Sequence, residues 1–213
     1  MSRKLSSTLH QVLVRSVLVA LIAAASPALL VAQPPNPPSP RTSAATQIGD
    51  HWIKVDYSAP VLRGRQGIFG SGDSYGQTLK AGAPVWRAGA DSSTRFKTDV
   101  ALEINGTKVP AGEYSFLIDL KADGWTAILS GQPYIGRVNS PEEVREGMAE
   151  GKAWGGYGYK MDADAARAPM TVRKIEASID NLTYWFMDVS EEGGTLAIAW
   201  DDHEGFLSFK IAE

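Results

Sequence analysis

The sequence contains no cysteine. No disulfide scaffold, cysteine-based zinc site or cysteine nucleophile can be built from it, and a lipid-anchored lipoprotein is excluded. Histidine is nearly as scarce, at three in 213 residues, and no His-x-x-x-His pair offers the usual zinc spacing. Positive charge is not in excess: 21 Lys and Arg face 24 Asp and Glu, a formal charge of -3, which argues against a basic nucleic-acid binder. The Gly-rich stretch Gly64–Gly76 lacks the Gly-Lys-Ser/Thr ending of a phosphate loop and reads as a long surface loop. Within it, Gly70-Ser71-Gly72-Asp73-Ser74 differs from a nucleophile elbow and has no strand-then-helix frame. What the chain does have is 21 Gly and 12 Pro, a composition that favours turns and short strands over long helices. Its apolar fraction, 44 %, is that of a globular protein.

The first 32 residues carry Arg3, Lys4 and Arg15 and no acid. Val17–Ala25 is uniformly apolar, and small residues follow at Ala23–Ala25 and again at Ala32. A basic start, an apolar stretch of this length and a small-residue cleavage pattern predict a secretory signal peptide over 1–32. Ser26-Pro27 interrupts the run short of the roughly 20 residues that span a bilayer, so no transmembrane segment is expected once the leader is removed. The mature chain keeps 18 basic and 24 acidic side chains and is expected in the periplasm or outside the cell. Five prolines in QPPNPPSP then predict a semi-rigid spacer, placed here as a linker over 33–46 before one domain over 47–213.

The domain reads as strands. From Thr94 to Ile104, Phe96, Thr98, Val100, Leu102 and Ile104 alternate with mostly polar residues, the period of a half-buried strand. Asn105-Gly106 is the favoured pair of a tight hairpin, with Thr107–Val109 returning. Tyr114, Phe116, Ile118 and Leu120 form a second alternating run, and Trp125–Leu129 a third. Further strands are expected near Trp52–Tyr57, Met170–Ile175, Leu182–Val189, Leu196–Trp200 and Leu207–Ile211, with a turn at Asp201–Glu204. One helix is expected from Ser140 to about Glu150: an N-cap Ser, Pro at the first helical position and Glu three residues after the cap. Eight or nine short strands with turns at this spacing predict an all-β, antiparallel sandwich, jelly-roll or Ig-like, with one short helix.

The chemical inventory is thin. His51 and His203 each lie beside acids and could converge on a metal if the first and last strands were neighbours. A hairpin turn that simply faces water is the plainer reading of Asp201–Glu204. Glu103 and Asp119 fall on outer faces by alternation, so spacing alone pairs no carboxylates for glycoside hydrolysis. The most suggestive polar cluster is Arg65, Arg87 and Asp91 with Tyr57 and Trp86. An Arg beside a Trp can grip a carboxylate, a phosphate or a sugar, and it can equally pin a loop to the sheet. Of the six Trp, Trp125, Trp185 and Trp200 sit in apolar alternation, whereas Trp86 and Trp154 lie in Gly-rich loops and are the better ligand candidates.

Tyr57-Ser58-Ala59-Pro60, Gly64-Arg65, Ile68-Phe69-Gly70, Val85–Asp91, Val109–Ser115, Trp154–Tyr159 and the Trp200 hairpin together resemble the bacterial family known as domain of unknown function 2911, over about residues 48–211. That resemblance implies an exported β-rich domain and brings no established activity, ligand or catalytic residue. The residues themselves favour a non-catalytic binding module for a small ligand, a glycan or an envelope partner, with Tyr57, Arg65, Trp86, Arg87, Asp91 and Trp154 as candidate contacts and no cofactor called for. The competing readings are a hydrolase using strand carboxylates, possible metal help coming from His51 and His203, and a structural envelope protein without a ligand.

Overall fold

The computed structural model describes residues 39–136, 138 and 140–212. The leader expected at 1–32 and the prolines up to residue 38 lie outside them. The strands are β1 (Arg41–Ile48), β2 (His51–Ser58), β3 (Arg95–Thr98), β4 (Leu102–Ile104), β5 (Thr107–Val109), β6 (Gly112–Lys121), β7 (Gly124–Ser130), β8 (Asp164–Ser190) and β9 (Gly193–Ile211). Hydrogen-bonded neighbours run in the order β1-β2-β3-β6-β7-β8-β9-β4-β5, and every ladder is antiparallel. This is an all-β fold consistent with a sandwich. Its inner faces meet through Tyr57 and Tyr184 (ring centroids 4.6 Å), Phe116 and Tyr184 (6.0 Å), and Trp86 and Trp200 (6.3 Å).

Alternation explains which residues do this. Tyr114, Phe116, Ile118 and Leu120 of β6 all enter the main core, and each buried large side chain contributes about 1.5–3 kcal/mol. Leu117 faces the other way and joins Val85 and Ile128 in a small second cluster under Tyr159. The hairpin at Asn105-Gly106 has φ of 50° and 74°, both positive as a type I′ turn requires.

Several expectations need correction. The stretch Thr94–Ile104 is two strands, β3 and β4, which lie far apart in the strand order. At the break Asp99 exchanges hydrogen bonds with Trp52, and Thr98 Oγ1 donates to the Val100 carbonyl (2.7 Å). The parity of burial survives the crossing, so the sequence pattern does not show it. Residues 41–46, assigned to the linker, form most of β1 and pair with β2 from Arg41–Ser58 to Ile48–His51. A one-turn helix α1 (Gln77–Lys80) joins the expected one, α2 (Pro141–Ala149), whose cap Ser140 accepts from the Glu143 amide at 3.3 Å.

The two C-terminal strands are longer and more folded than their alternation suggests. β9 doubles back at Asp201 (φ 50°): the Ile211 amide donates to the Glu192 carbonyl (2.9 Å), and the hydroxyls of Thr195 and Ser208 lie 3.3 Å apart. β8 flanks both legs, with Thr171–Lys174 against Phe206–His203 and Thr183–Met187 against Ala199–Thr195. Residues 175–181 therefore cross over the Asp201 corner. There the Ser178 hydroxyl donates to Asp201 Oδ1 (3.0 Å) and the Trp200 indole donates to the Asp180 carbonyl (3.2 Å). The chain does reverse near Asp201–Glu204, but this corner is not a solvated turn. Asp201 and His203 are only 2 % and 4 % exposed, because the crossover and the 62–76 loop cover them.

Candidate functional site

The candidate site grows from the segment that precedes β3. Trp86 and Ile118 exchange backbone hydrogen bonds (2.8 and 2.9 Å), so Trp86 bridges to the sheet at β6. Ala88 then turns outward with φ 51°, and its carbonyl accepts from the Tyr184 hydroxyl (2.8 Å) and from Thr94 Oγ1 (3.1 Å). Only glycine fits next: a Cβ on Gly89 would lie 2.7 Å from Thr94 Oγ1 and 3.2 Å from the Ser58 carbonyl. Ala90 donates to that same carbonyl (3.1 Å), which fixes the knuckle 88–91 to the end of β2.

Arg87 projects from this knuckle. Its Nη1 donates to the Asp91 backbone carbonyl (2.5 Å), and its guanidinium lies 4.8 Å from the Trp154 ring centroid and 5.7 Å from that of Tyr157. Such stacking is worth about 0.5–2 kcal/mol depending on solvent access. Burial pulls the Arg87 pKa below its usual value, opposed by Tyr157 and Asp91, and the group remains a cation at neutral pH. Glycine again permits the approach. A Cβ on Gly155 would meet Arg87 Nε at 2.9 Å, and one on Gly156 would meet the Val85 carbonyl at 2.0 Å. Trp154 and Tyr157 bond to each other's backbones, and the Gly155 amide donates to the buried Ser93 hydroxyl (3.0 Å). The indole of Trp154 is thus held from behind, half-buried, in a fixed plane.

Two chambers open beside it. One, of about 650 Å³, is walled by Arg41, Ser58, Asp91, Ser92, Val138 and Trp154. The other, of about 450 Å³, is walled by Val138, Pro141, Val144, Arg145 and Trp154. Both volumes fall in the ~300–1,000 Å³ range of small-molecule clefts. Val138 and Trp154 belong to both, so the two chambers adjoin. The first mixes apolar and polar surface and carries both signs of charge. The second is mostly aliphatic, with Arg145 bonded to Glu142 at its rim.

The six candidate contacts divide accordingly. Arg87, Asp91 and Trp154 come together. Tyr57 and Trp86 are core residues, 5 % and 2 % exposed, with Trp86 stacked on Trp200 and set edge-on to Phe69. Arg65 closes its own loop by donating to the carbonyls of Leu62 (2.8 Å) and Val61 (2.9 Å). Of the Trp assigned to the core, Trp125 and Trp200 are buried, whereas Trp185 is half-buried with its ring edge-on to Phe206; Trp52 is the exposed one, at 53 %. Sequence reasoning missed Arg41, Ser58, Ser92, Val138 and Val144. Ser58 lies within the Tyr57–Pro60 motif and Ser92 directly follows Asp91, while Arg41 lies in a stretch that carried no signal for a site.

The two histidines do not share a site. His51 is exposed and pairs with Asp99 (3.7 Å). His203 is buried against Phe69 (4.3 Å), Trp125 (5.9 Å) and Tyr75 (6.0 Å), with Nδ1 2.6 Å from Asp202 Oδ1. Burial pushes the Asp202 carboxyl up, but His203 and Lys174 outweigh it and hold its pKa below the usual value. Among the described residues no three His, Asp or Glu cluster as metal ligands would. Asp119, expected on a solvated face, is instead drawn into ion pairs with Arg167 (3.6 Å) and Lys121 (3.7 Å).

An antiparallel all-β domain with a loop-built cleft at one end of its strands is the class that fold and site define. Comparison with known families makes it particular. The chain belongs to the family described as protein of unknown function DUF2911, whose model matches residues 39–209. No curated protein and no solved structure matches the chain. No helix among the described residues is long and apolar enough to cross a membrane.

Proposed function

We propose that this chain is an exported, non-catalytic binding module that takes a small ligand, a glycan or the end of an envelope component into the cleft beside Trp154. The observation that carries this reading is the mounting of Trp154. An aromatic ring braced by Arg87 and Tyr157 forms the common wall of two adjoining chambers. Aromatic anchors with a few convergent polar groups are the usual equipment of a ligand cleft. The basic, then apolar, then small-residue leader supports export. A hydrolase using strand carboxylates has less support. Asp91 is the one carboxylate among the described residues lining the larger chamber, and glycoside hydrolysis employs two.

The test is a ligand screen by two-dimensional NMR, with soluble oligosaccharides and small polar metabolites. Bound ligands are expected to shift the amides of Asp91 and Ser92 and the indole N–H of Trp154, and Trp154→Ala is expected to weaken them at least tenfold. Hits that map elsewhere, or that bind Trp154→Ala as tightly as the parent protein, overturn the reading.

A further inference from the structure

We propose that the ligand of this cleft is an amphipathic glycoside, with its sugar ring in the chamber of Asp91 and Arg41 and its apolar substituent in the chamber of Pro141 and Val144. The inference rests on the reading of the cleft as a binding site and adds the chemical class of what it binds. Its first support is the mixed charge of the larger chamber. The exposed carboxylate of Asp91 accepts no hydrogen bond from a described residue, and Arg41 spends one weak bond on the Ser93 carbonyl (3.3 Å). Asp91 and Arg41 place a hydrogen-bond acceptor and a set of donors in one chamber. A neutral polyol matches both, because each hydroxyl donates to a carboxylate and accepts from a guanidinium. Ser58 and Ser92 belong to the same wall, Ser58 almost fully buried in it.

The second support is the position of the indole. A pyranose is hydroxylated around its rim and apolar on its C–H faces. It therefore suits an aromatic wall beside hydrogen-bonding groups, and Trp154 lines the same chamber as Asp91 and Ser92. The third support is continuity. Beyond Trp154 and Val138 the wall becomes mostly aliphatic, with Pro141 and Val144 of the α2 first turns beside Ser140 and Arg145. A free sugar leaves this surface wet. A simple hydrocarbon leaves Asp91 and Arg41 desolvated without partners, which is costly. A glycoside satisfies both halves at once.

The experiment measures binding of methyl and hexyl β-glycosides of glucose, galactose and N-acetylglucosamine by calorimetry, with hexanol and indole as sugar-free probes followed by NMR. A fully buried methylene is worth about fourfold in affinity, so the five added ones predict at least a tenfold gain for a hexyl over its methyl glycoside in a half-open groove. Val144→Ser lies on a surface helix and is expected to remove most of that gain while leaving methyl glycoside binding intact. Asp91→Asn keeps a side chain that tolerates the positive φ of 55° and is expected to weaken both glycosides about tenfold. Equal affinity for the hexyl and methyl compounds, or unchanged binding by Asp91→Asn, overturns the proposal. If the glycosides fail while hexanol or indole shifts the resonances of Val138 and Trp154, the glycoside class is wrong and the cleft stands. If none of these probes shifts those resonances, both readings fall.

Discussion

Replacing Asp201 by Ala is expected to cost about 3–5 kcal/mol, although the residue touches no part of the cleft. Asp201 joins three segments at the point where β9 doubles back. Its Oδ2 accepts from the buried Ile68 amide (3.1 Å) and its Oδ1 from the Ser178 hydroxyl (3.0 Å), and the residue is 2 % exposed. Removing the carboxylate strands a buried N–H, which costs about 1–3 kcal/mol. Losing the partly buried hydroxyl bond adds about 0.5–1.5 kcal/mol. Alanine must also adopt φ near 50°, which costs about 1–2 kcal/mol more. For a domain of this size each kcal/mol lowers Tm by about 2–4 °C, so the melt should fall by on the order of 10 °C. Urea unfolding followed by tryptophan fluorescence reads the free energy. Native-state hydrogen exchange reads the Ile68 amide, which should lose protection first. Asp201→Asn retains one acceptor oxygen and tolerance of the left-handed backbone, and should lose about half as much. An alanine variant within 1 kcal/mol of the parent, or an asparagine variant as damaged as the alanine one, would refute the reasoning.

Two further outcomes follow from the same geometry. Gly156→Ala places a methyl group 2.0 Å from the Val85 carbonyl, so the Trp154–Tyr157 loop must move away. It should cost about 1–3 kcal/mol, and Trp154 should become more accessible to acrylamide quenching; unchanged quenching would show that Gly156 does not set the position of the indole. Glu113 supplies a pH signature. Burial raises its pKa, but hydrogen bonds and charge from Arg95 (2.9 Å) and Lys97 (3.2 Å) outweigh this and hold it below the ordinary carboxylate value. A depressed folded-state pKa contributes stability that is complete above the unfolded value and is lost as pH falls through the folded one. Glu113→Gln should therefore be less stable than the parent at neutral pH and converge with it in acid. A gap that persists in acid would remove ionisation as its cause.

The local rules of the chain were readable. Asn105-Gly106 made its hairpin, and Ser140-Pro141 started its helix, because turns and caps depend on a few neighbouring residues. Alternation also placed Phe116, Ile118 and Leu120 in the core. It failed where the question was which strand lies beside which. Thr94–Ile104 keeps one burial parity while passing from β3 to β4, so a period of two could not reveal the change of partners. Trp86 stands in a Gly-rich stretch, which by sequence alone makes it a ligand candidate. Its backbone pairing with Ile118 makes it part of the sheet and turns its ring to Trp200.

The cleft divides in the same way. The neighbourhood of Arg87, Asp91 and Trp154 was visible as motifs, since each sits where glycines let a loop fold tightly. Arg41 and Val144 were not, because they reach the cleft from a strand and a helix remote in sequence. By itself, then, the sequence determined most strand positions, the Asn105-Gly106 hairpin, the helix start and one face of the core, which follow from short-range sterics and hydrophobic period. The tertiary structure alone decided that Asp201 and His203 are sealed inside, that Arg65 serves its own loop, and that five distant segments wall the adjoining chambers around Trp154. Those outcomes depend on long-range pairing and packing, which no local pattern encodes.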